Sequence, residues 1–252
     1  MNRMTVKEVY EVLEKLAPKS TAMPGDNPGF LVGDGSSEVK KILVALDCTS
    51  DVILEAERAG ANLIVTHHPV IYAPLKDVTE ESRVFKLISR GISVISWHTN
   101  LDMAEGGVND CLAKRLGLTE LRVLENLETG FKSRIGVLKQ AVSADELAAR
   151  AKAELGGNIR YNDGGKPIKT VAVCGGSGTD MFAPAVLCGA DALVTSDIKH
   201  SLFITANEKG FTIIDAGHYY TENIIVRPLA EYLRKNTGLT VEVTDTTPIK
   251  NL

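Results

Sequence analysis

Residues 59–66 read AGANLIVT and residues 188–195 read CGADALVT, the same frame met again 129 positions later. Gly, Ala, Val and Thr fall at equivalent places in both. In each copy a glycine is followed by a short apolar run, the form of a strand buried on both faces of a parallel sheet. Further on, RGISVIS at 90–96 faces KGFTIID at 209–215, now at a shift of 119. The change in shift is confined to the loop and helix between the two runs. A unit recurring at this length reads as an internal duplication.

Working outward, the flanks alternate regularly. Lys41–Leu46 reads as a strand. Thr49 or Ser50 caps a helix that runs to Ala59 and stops at Gly60. Leu63–Val65 is the next strand, about Glu80 to Arg90 a helix closed by Gly91, Ile92–Trp97 a strand, and Val108–Leu116 a helix before Gly117. In the second half Ser143 and Glu146 cap a helix to Leu155. Val171–Val173, Leu193–Val194 and Phe211–Asp215 read as strands. Near the start, Thr5 and Glu8 form a capping box ahead of Val6, Val9, Leu13 and Leu16, and Pro18 ends that helix. Ser20 to Asp34 is turn-rich. Strands separated by helices predict an α/β fold of parallel βαβ units, in two similar halves at about 1–125 and 126–252 whose segments are free to interdigitate.

A length of 252 residues suffices for two cores of this kind. The formal charge of −4 supplies no electrostatic attraction for nucleic acid or an anionic membrane, and Lys and Arg form no stripe. No apolar run approaches the roughly 20 residues that span a bilayer, and the opening MNRMTVKEVYEVLEKLAPKS lacks the apolar centre of a secretion signal. A soluble, cytoplasmic protein is expected. Cys48, Cys111, Cys174 and Cys188 form no C-x-x-C pair, and reduced, mostly buried thiols are the expectation.

Of five histidines, four stand just past predicted strand ends: His67, His68, His98 and His218. Ligands of open α/β sheets bind outside the carboxyl ends of strands. His98-x-x-x-Asp102 and His218-x-x-x-Glu222 repeat one spacing in the two halves. On helical backbone this spacing directs an imidazole and a carboxylate to one side. Imidazoles mixed with carboxylates suit zinc, iron, manganese or nickel better than calcium or magnesium. Adjacent residues on an extended segment point to opposite faces, so His67 and His68 are expected to serve two ions lying side by side. The donors also outnumber the three or four that one zinc takes, and two divalent ions bridged by a carboxylate, Asp102 or Glu222, satisfy the count. His98 reads equally as a direct ligand or as a group that orients one; His200 reads as an ordinary surface or hydrogen-bonded histidine.

Gly175-Gly176-Ser177-Gly178 follows a strand and precedes a helix near Asp180. Its N–H groups are candidates to cradle a phosphate, although it is neither a Walker motif nor a dinucleotide fingerprint, and a tight turn imposed by packing is an equal reading.

DNPGFLVGD at 26–34, AGANLIVTHHPVIY at 59–72, HTNLDMAEGGVND at 98–110 and IDAGHYYTE at 214–222 resemble the GTP cyclohydrolase 1 type 2 homologues, also called NIF-three-like proteins. These stretches lie in order along nearly the whole chain. The resemblance implies metal ligands at His67, His68, Asp102, His218 and Glu222, with His98 close by. It further implies a dinuclear site in the cleft between two similar α/β domains and a toroidal homohexamer. The chain looks too short for the extra domain some relatives carry between the halves. Pro24-Gly25 ahead of Asp26-Asn27 departs from the aromatic residue frequent in relatives and bears on loop shape. The expected activity is metal-dependent hydrolysis of a small molecule, a nucleotide by family name alone. The alternative is a non-catalytic, metal-loaded ring that regulates or binds a protein partner.

Overall fold

The computed structural model describes residues 3–244, 246, 247, 249 and 250. Helix α1 (Val6–Leu16) starts at the predicted capping box, with Thr5 and Glu8 bonded reciprocally, and buries Val6, Val9, Val12 and Leu13 on one face. There follow strands β1 (Gly29–Val32) and β2 (Ile42–Ala45), helix α2 (Ser50–Ala59), strand β3 (Leu63–Thr66), helix α3 (Arg83–Ser89), strand β4 (Ser93–Ser96) and the short helix α4 (Thr99–Met103). Thr49 caps α2, and Gly60 ends it in the left-handed conformation that a side chain resists. All four residues of β2, β3 and β4 are buried, as expected of strands covered on both faces. β1 lies in the stretch read as turns. Its four residues sit between Pro28 and Gly33, and the turn-forming residues around it masked its short pattern.

The chain continues through α5 (Val108–Arg115), β5 (Thr119–Glu125), β6 (Lys132–Val142), α6 (Ala144–Leu155), β7 (Arg160–Tyr161), β8 (Ile168–Val173), α7 (Phe182–Leu187), β9 (Ala192–Thr195), α8 (His200–Glu208), β10 (Thr212–Asp215) and the short helix α9 (His218–Glu222). It then forms α10 (Val226–Thr237) and β11 (Val241–Val243).

Among the described residues, two sheets form, in the orders β1-β4-β3-β2-β11 and β5-β6-β8-β9-β10-β7. β2, β3, β4 and β11 are mutually parallel, as are β8, β9 and β10; β1, β5, β6 and β7 are antiparallel additions. The mixed sheets correct the all-parallel expectation. β5 and β6 pair directly across a turn at 126–131, and a hairpin needs no crossover helix to announce it.

The chain divides into two compact units. One runs to Ala104 and resumes over Ile225–Lys250; the other is Glu105–Ile224. The division thus falls away from the expected 125/126 boundary. β11 pairs with β2 and returns the last segment to the first sheet. Within the first unit Leu63 pairs with Ser93 and Thr66 with Ser96; within the second Ala192 pairs with Thr212 and Thr195 with Asp215. These are the positions related by the shifts of 129 and 119 in the sequence.

The cysteines are free thiols; Cys48 and Cys174 are buried, Cys111 is half-buried and Cys188 is exposed, so burial is less general than expected. No helix among the described residues is long and apolar enough to cross a membrane.

Candidate metal centre

In the first unit, the parallel strands β3 and β4 deliver His67, His68 and His98 past their carboxyl ends. The candidate ligand atoms of these three histidines lie within 4.8 Å of one another. His67 is fully buried, and its Nδ1 is 2.8 Å from the Trp97 carbonyl. His68 Nδ1 is 2.7 Å from Asp47 Oδ1, and His98 Nδ1 is 2.7 Å from Asp26 Oδ1. A carbonyl or an ionised carboxylate only accepts, so each Nδ1 donates, and in the neutral ring Nε2 is then the electron-pair donor. His67 Nε2 lies 3.4 Å from Asp102 Oδ1, on α4.

The histidine doublet does not lie on extended strand, which corrects the alternation argument for it. β3 ends at Thr66, and His67 and His68 lie in a bend beyond it. Strand alternation therefore does not govern them, and their ring centroids stand 5.1 Å apart.

Asp26 secures His98 firmly. The same carboxylate accepts from Thr99 N at 3.1 Å and Thr99 Oγ1 at 2.5 Å. Burial pushes the Asp26 carboxyl up, but the hydrogen bonds from His98 and Thr99 outweigh it and hold it at about 2.

In the second unit, α9 is one turn of helix that begins at Gly217, whose φ is 79°. His218 and Glu222 point to the same side, with Nε2 and Oε2 3.0 Å apart. His218 Nδ1 is 2.6 Å from Asp197 Oδ2, so here too a carboxylate holds Nδ1. The hydrogen bond to Glu222 raises the imidazole against the opposing effect of burial, and Asp197 adds to it, bringing His218 up to about 9. Glu222 is buried.

The glycine run lies against this pair. A Cβ on Gly176 would fall 2.1 Å from Glu222 Oε1 and 3.2 Å from His218 Nε2. Gly175 N donates to Asn109 Oδ1 at 2.8 Å, Gly176 N to Thr221 Oγ1 at 3.0 Å, and Gly178 N to Thr195 Oγ1 at 2.9 Å. Those three N–H groups are committed inside the unit, so packing explains the run and the phosphate cradle does not.

Asp26, Asp47 and Asp197 were not singled out in the sequence. Asp47 and Asp197 each stand two residues past a strand that ends at Ala45 or Thr195, which is the signal that would have found them. His200 is exposed at the start of α8.

The Duf34/NIF3 (NGG1p interacting factor 3) family pattern matches residues 4–251. The chain belongs to this family. Among Duf34/NIF3 relatives, a GTP cyclohydrolase 1 type 2 homolog of Clostridium perfringens is 33% identical over 95% of this chain and 95% of its own. A Helicobacter pylori GTP cyclohydrolase 1 type 2 is 34% identical over 94% and 95%. A Staphylococcus aureus hypothetical protein of known crystal structure superposes with a TM-score of 0.91 at 29% identity, covering 99% of both chains.

Proposed function

We propose that this Duf34/NIF3 protein is a metal-dependent hydrolase with a dinuclear centre. His67, His68 and Asp102 of the first unit and His218 and Glu222 of the second hold the two divalent ions in a cleft between the units, with His98 as a further donor. The observation that carries this reading is shared by four imidazoles: a fixed acceptor occupies Nδ1 of His67, His68, His98 and His218, which leaves Nε2 as the ligand atom, in His218 the one that faces Glu222. Hydrogen-bonded Nδ1 is the arrangement by which proteins orient a metal-binding histidine and raise its basicity. The donor set of imidazole and carboxylate fits zinc, iron, manganese or nickel.

Bound divalent cations supply Lewis acidity and bring the pKa of water toward neutrality. The chain's own part is positional. Asp26, Asp47 and Asp197 hold the rings, buried Glu222 and Asp102 are the candidate bridging carboxylates, and the Gly176 turn leaves room for Glu222. A nucleotide substrate is supported by the names of relatives such as the Helicobacter pylori GTP cyclohydrolase 1 type 2.

Descent of both units from one duplicated ancestor is part of this proposal. The matching registers of β3 with β4 and of β9 with β10 support it. A homohexameric ring is the proposed assembly, to be read by light scattering in solution.

Elemental analysis after loading with manganese, iron or zinc is expected to find two ions per chain, falling in Glu222→Ala. Retention of no metal by the wild type overturns the site. Filled metal positions with no turnover of nucleotides or phosphoesters overturn the hydrolase and favour the non-catalytic ring, which predicts capture of a stoichiometric protein partner.

A further inference from the structure

Between β3 and α3 the chain runs from His67 to Ser82 without helix or strand. Unstructured connections beyond about 12–15 residues are uncommon in compact domains and are usually either functional segments or linkers. This one opens with two candidate ligands and then exposes three large apolar side chains: Tyr72 at 65%, Leu75 at 49% and Val78 at 49%.

Tyr72 is distinguished from a stray surface aromatic by what fixes it. Its ring stands 6.2 Å from the His98 imidazole, with the planes at 89°. Asn27 Nδ2 donates to the carbonyl of Ile71, the preceding residue, at 2.7 Å. The neighbouring Asp26 holds His98 Nδ1. The Asp26-Asn27 dipeptide therefore sets both the imidazole and the backbone that carries the tyrosine.

Resting on the metal-centre reading above, we propose that Tyr72 is the stacking wall of the substrate site, and that the substrate carries a planar heteroaromatic ring such as a nucleobase. The exposed π face of a tyrosine attracts a flat ring through apolar contact and quadrupole, tolerating different bases because each has such a face. Recognition then runs through the ring, consistent with the commitment of the Gly175, Gly176 and Gly178 N–H groups to other residues.

Calorimetry on the manganese-loaded full chain, with GMP, AMP and ribose 5-phosphate as probes, tests this. GMP or AMP is expected to bind roughly tenfold more tightly than ribose 5-phosphate, the increment of one stacked base. Tyr72→Ala should erase that difference and Tyr72→Phe should keep it, with bound manganese unchanged in both. Equal affinity of wild type and Tyr72→Ala for GMP and AMP, or a wild type that does not distinguish them from ribose 5-phosphate, overturns the proposal. Absence of manganese from the wild type by elemental analysis sinks instead the metal reading on which it stands.

Discussion

Asp197 accepts a hydrogen bond from His218 Nδ1 at 2.6 Å while its own backbone sits in the left-handed region, at φ 55°. A side chain in that region carries strain, though aspartate tolerates it better than most residues. The second unit thus holds a strained residue at the point where it orients an imidazole. Replacing Asp197 by Ala should weaken metal binding roughly 10- to 100-fold, the usual effect of removing a group that orients a ligand. Competition against a chromophoric chelator measures it. Undiminished affinity would remove Asp197 from that role.

The metal-free protein should respond to pH through His218. Its imidazole is raised from an ordinary 6.5 to about 9 by Glu222, against burial, with help from Asp197. A folded-state pKa above the unfolded one favours folding fully below the lower value, and the benefit disappears as pH climbs through the higher. Thermal stability without metal should therefore decline between about pH 6.5 and 9, and His218→Asn should flatten that slope. Metal requires the neutral ring, so uptake should release a proton in the same window. A wild-type stability indifferent to pH there contradicts the assignment.

Gly176 and Gly165 separate crowding from backbone strain. Both have positive φ, 62° and 73°, but only at Gly176 does an added Cβ meet a neighbour, Glu222 Oε1 at 2.1 Å. At Gly165 nothing lies within 4 Å. Gly165→Ala should cost about 1 kcal/mol of backbone strain and leave metal content intact. Gly176→Ala should displace the carboxylate and cut metal affinity at least about tenfold. Elemental analysis beside urea titration distinguishes the two effects.

Leu63 lies fully buried in β3, in the strand that leads to His67. Leu63→Ala should destabilise the first unit by about 2–5 kcal/mol, since the neighbours close only partly over the space left. Trp97, the one tryptophan of the chain, is buried in the same unit and reports the change as a lower urea midpoint in its fluorescence.

Thiol labelling should be selective. Burial pushes the Cys48 thiol up to about 12, with Arg83 offsetting only part of the effect, whereas Cys188 is exposed. Iodoacetamide at pH 8 should modify Cys188 and spare Cys48 in the native protein, because the thiolate is the reacting form. Peptide mass spectrometry reads the outcome; equal labelling would place Cys48 in an accessible site.

Much of this was legible in the sequence because its signals are local. The Thr5–Glu8 capping box, the Thr49 cap and the Gly60 stop all act within a few residues, and each lies where its pattern indicated. The histidines after β3, β4 and β10 were visible because those strands end on short apolar runs. Non-local features escaped. β11 is three residues long and has meaning only through its pairing with β2, nearly two hundred positions earlier. Asp26 carries no mark of its role, because its partner is His98 and a spacing of 72 residues encodes nothing by itself. For the histidine doublet only the alternation argument fails, because β3 stops at Thr66 and both residues lie beyond it.

The pairing of β11 with β2 also sets a timetable for synthesis. Translation proceeds from the first residue onward, so Glu105–Ile224 is synthesised before α10 and β11. The nascent β2 must wait with one hydrogen-bonding edge unsatisfied, exposed to other polypeptides in a crowded cell, until the final segment emerges. The domain begun earliest is thus the one completed latest, and premature termination before Val241 would leave the first sheet with β2 as an open, sticky edge.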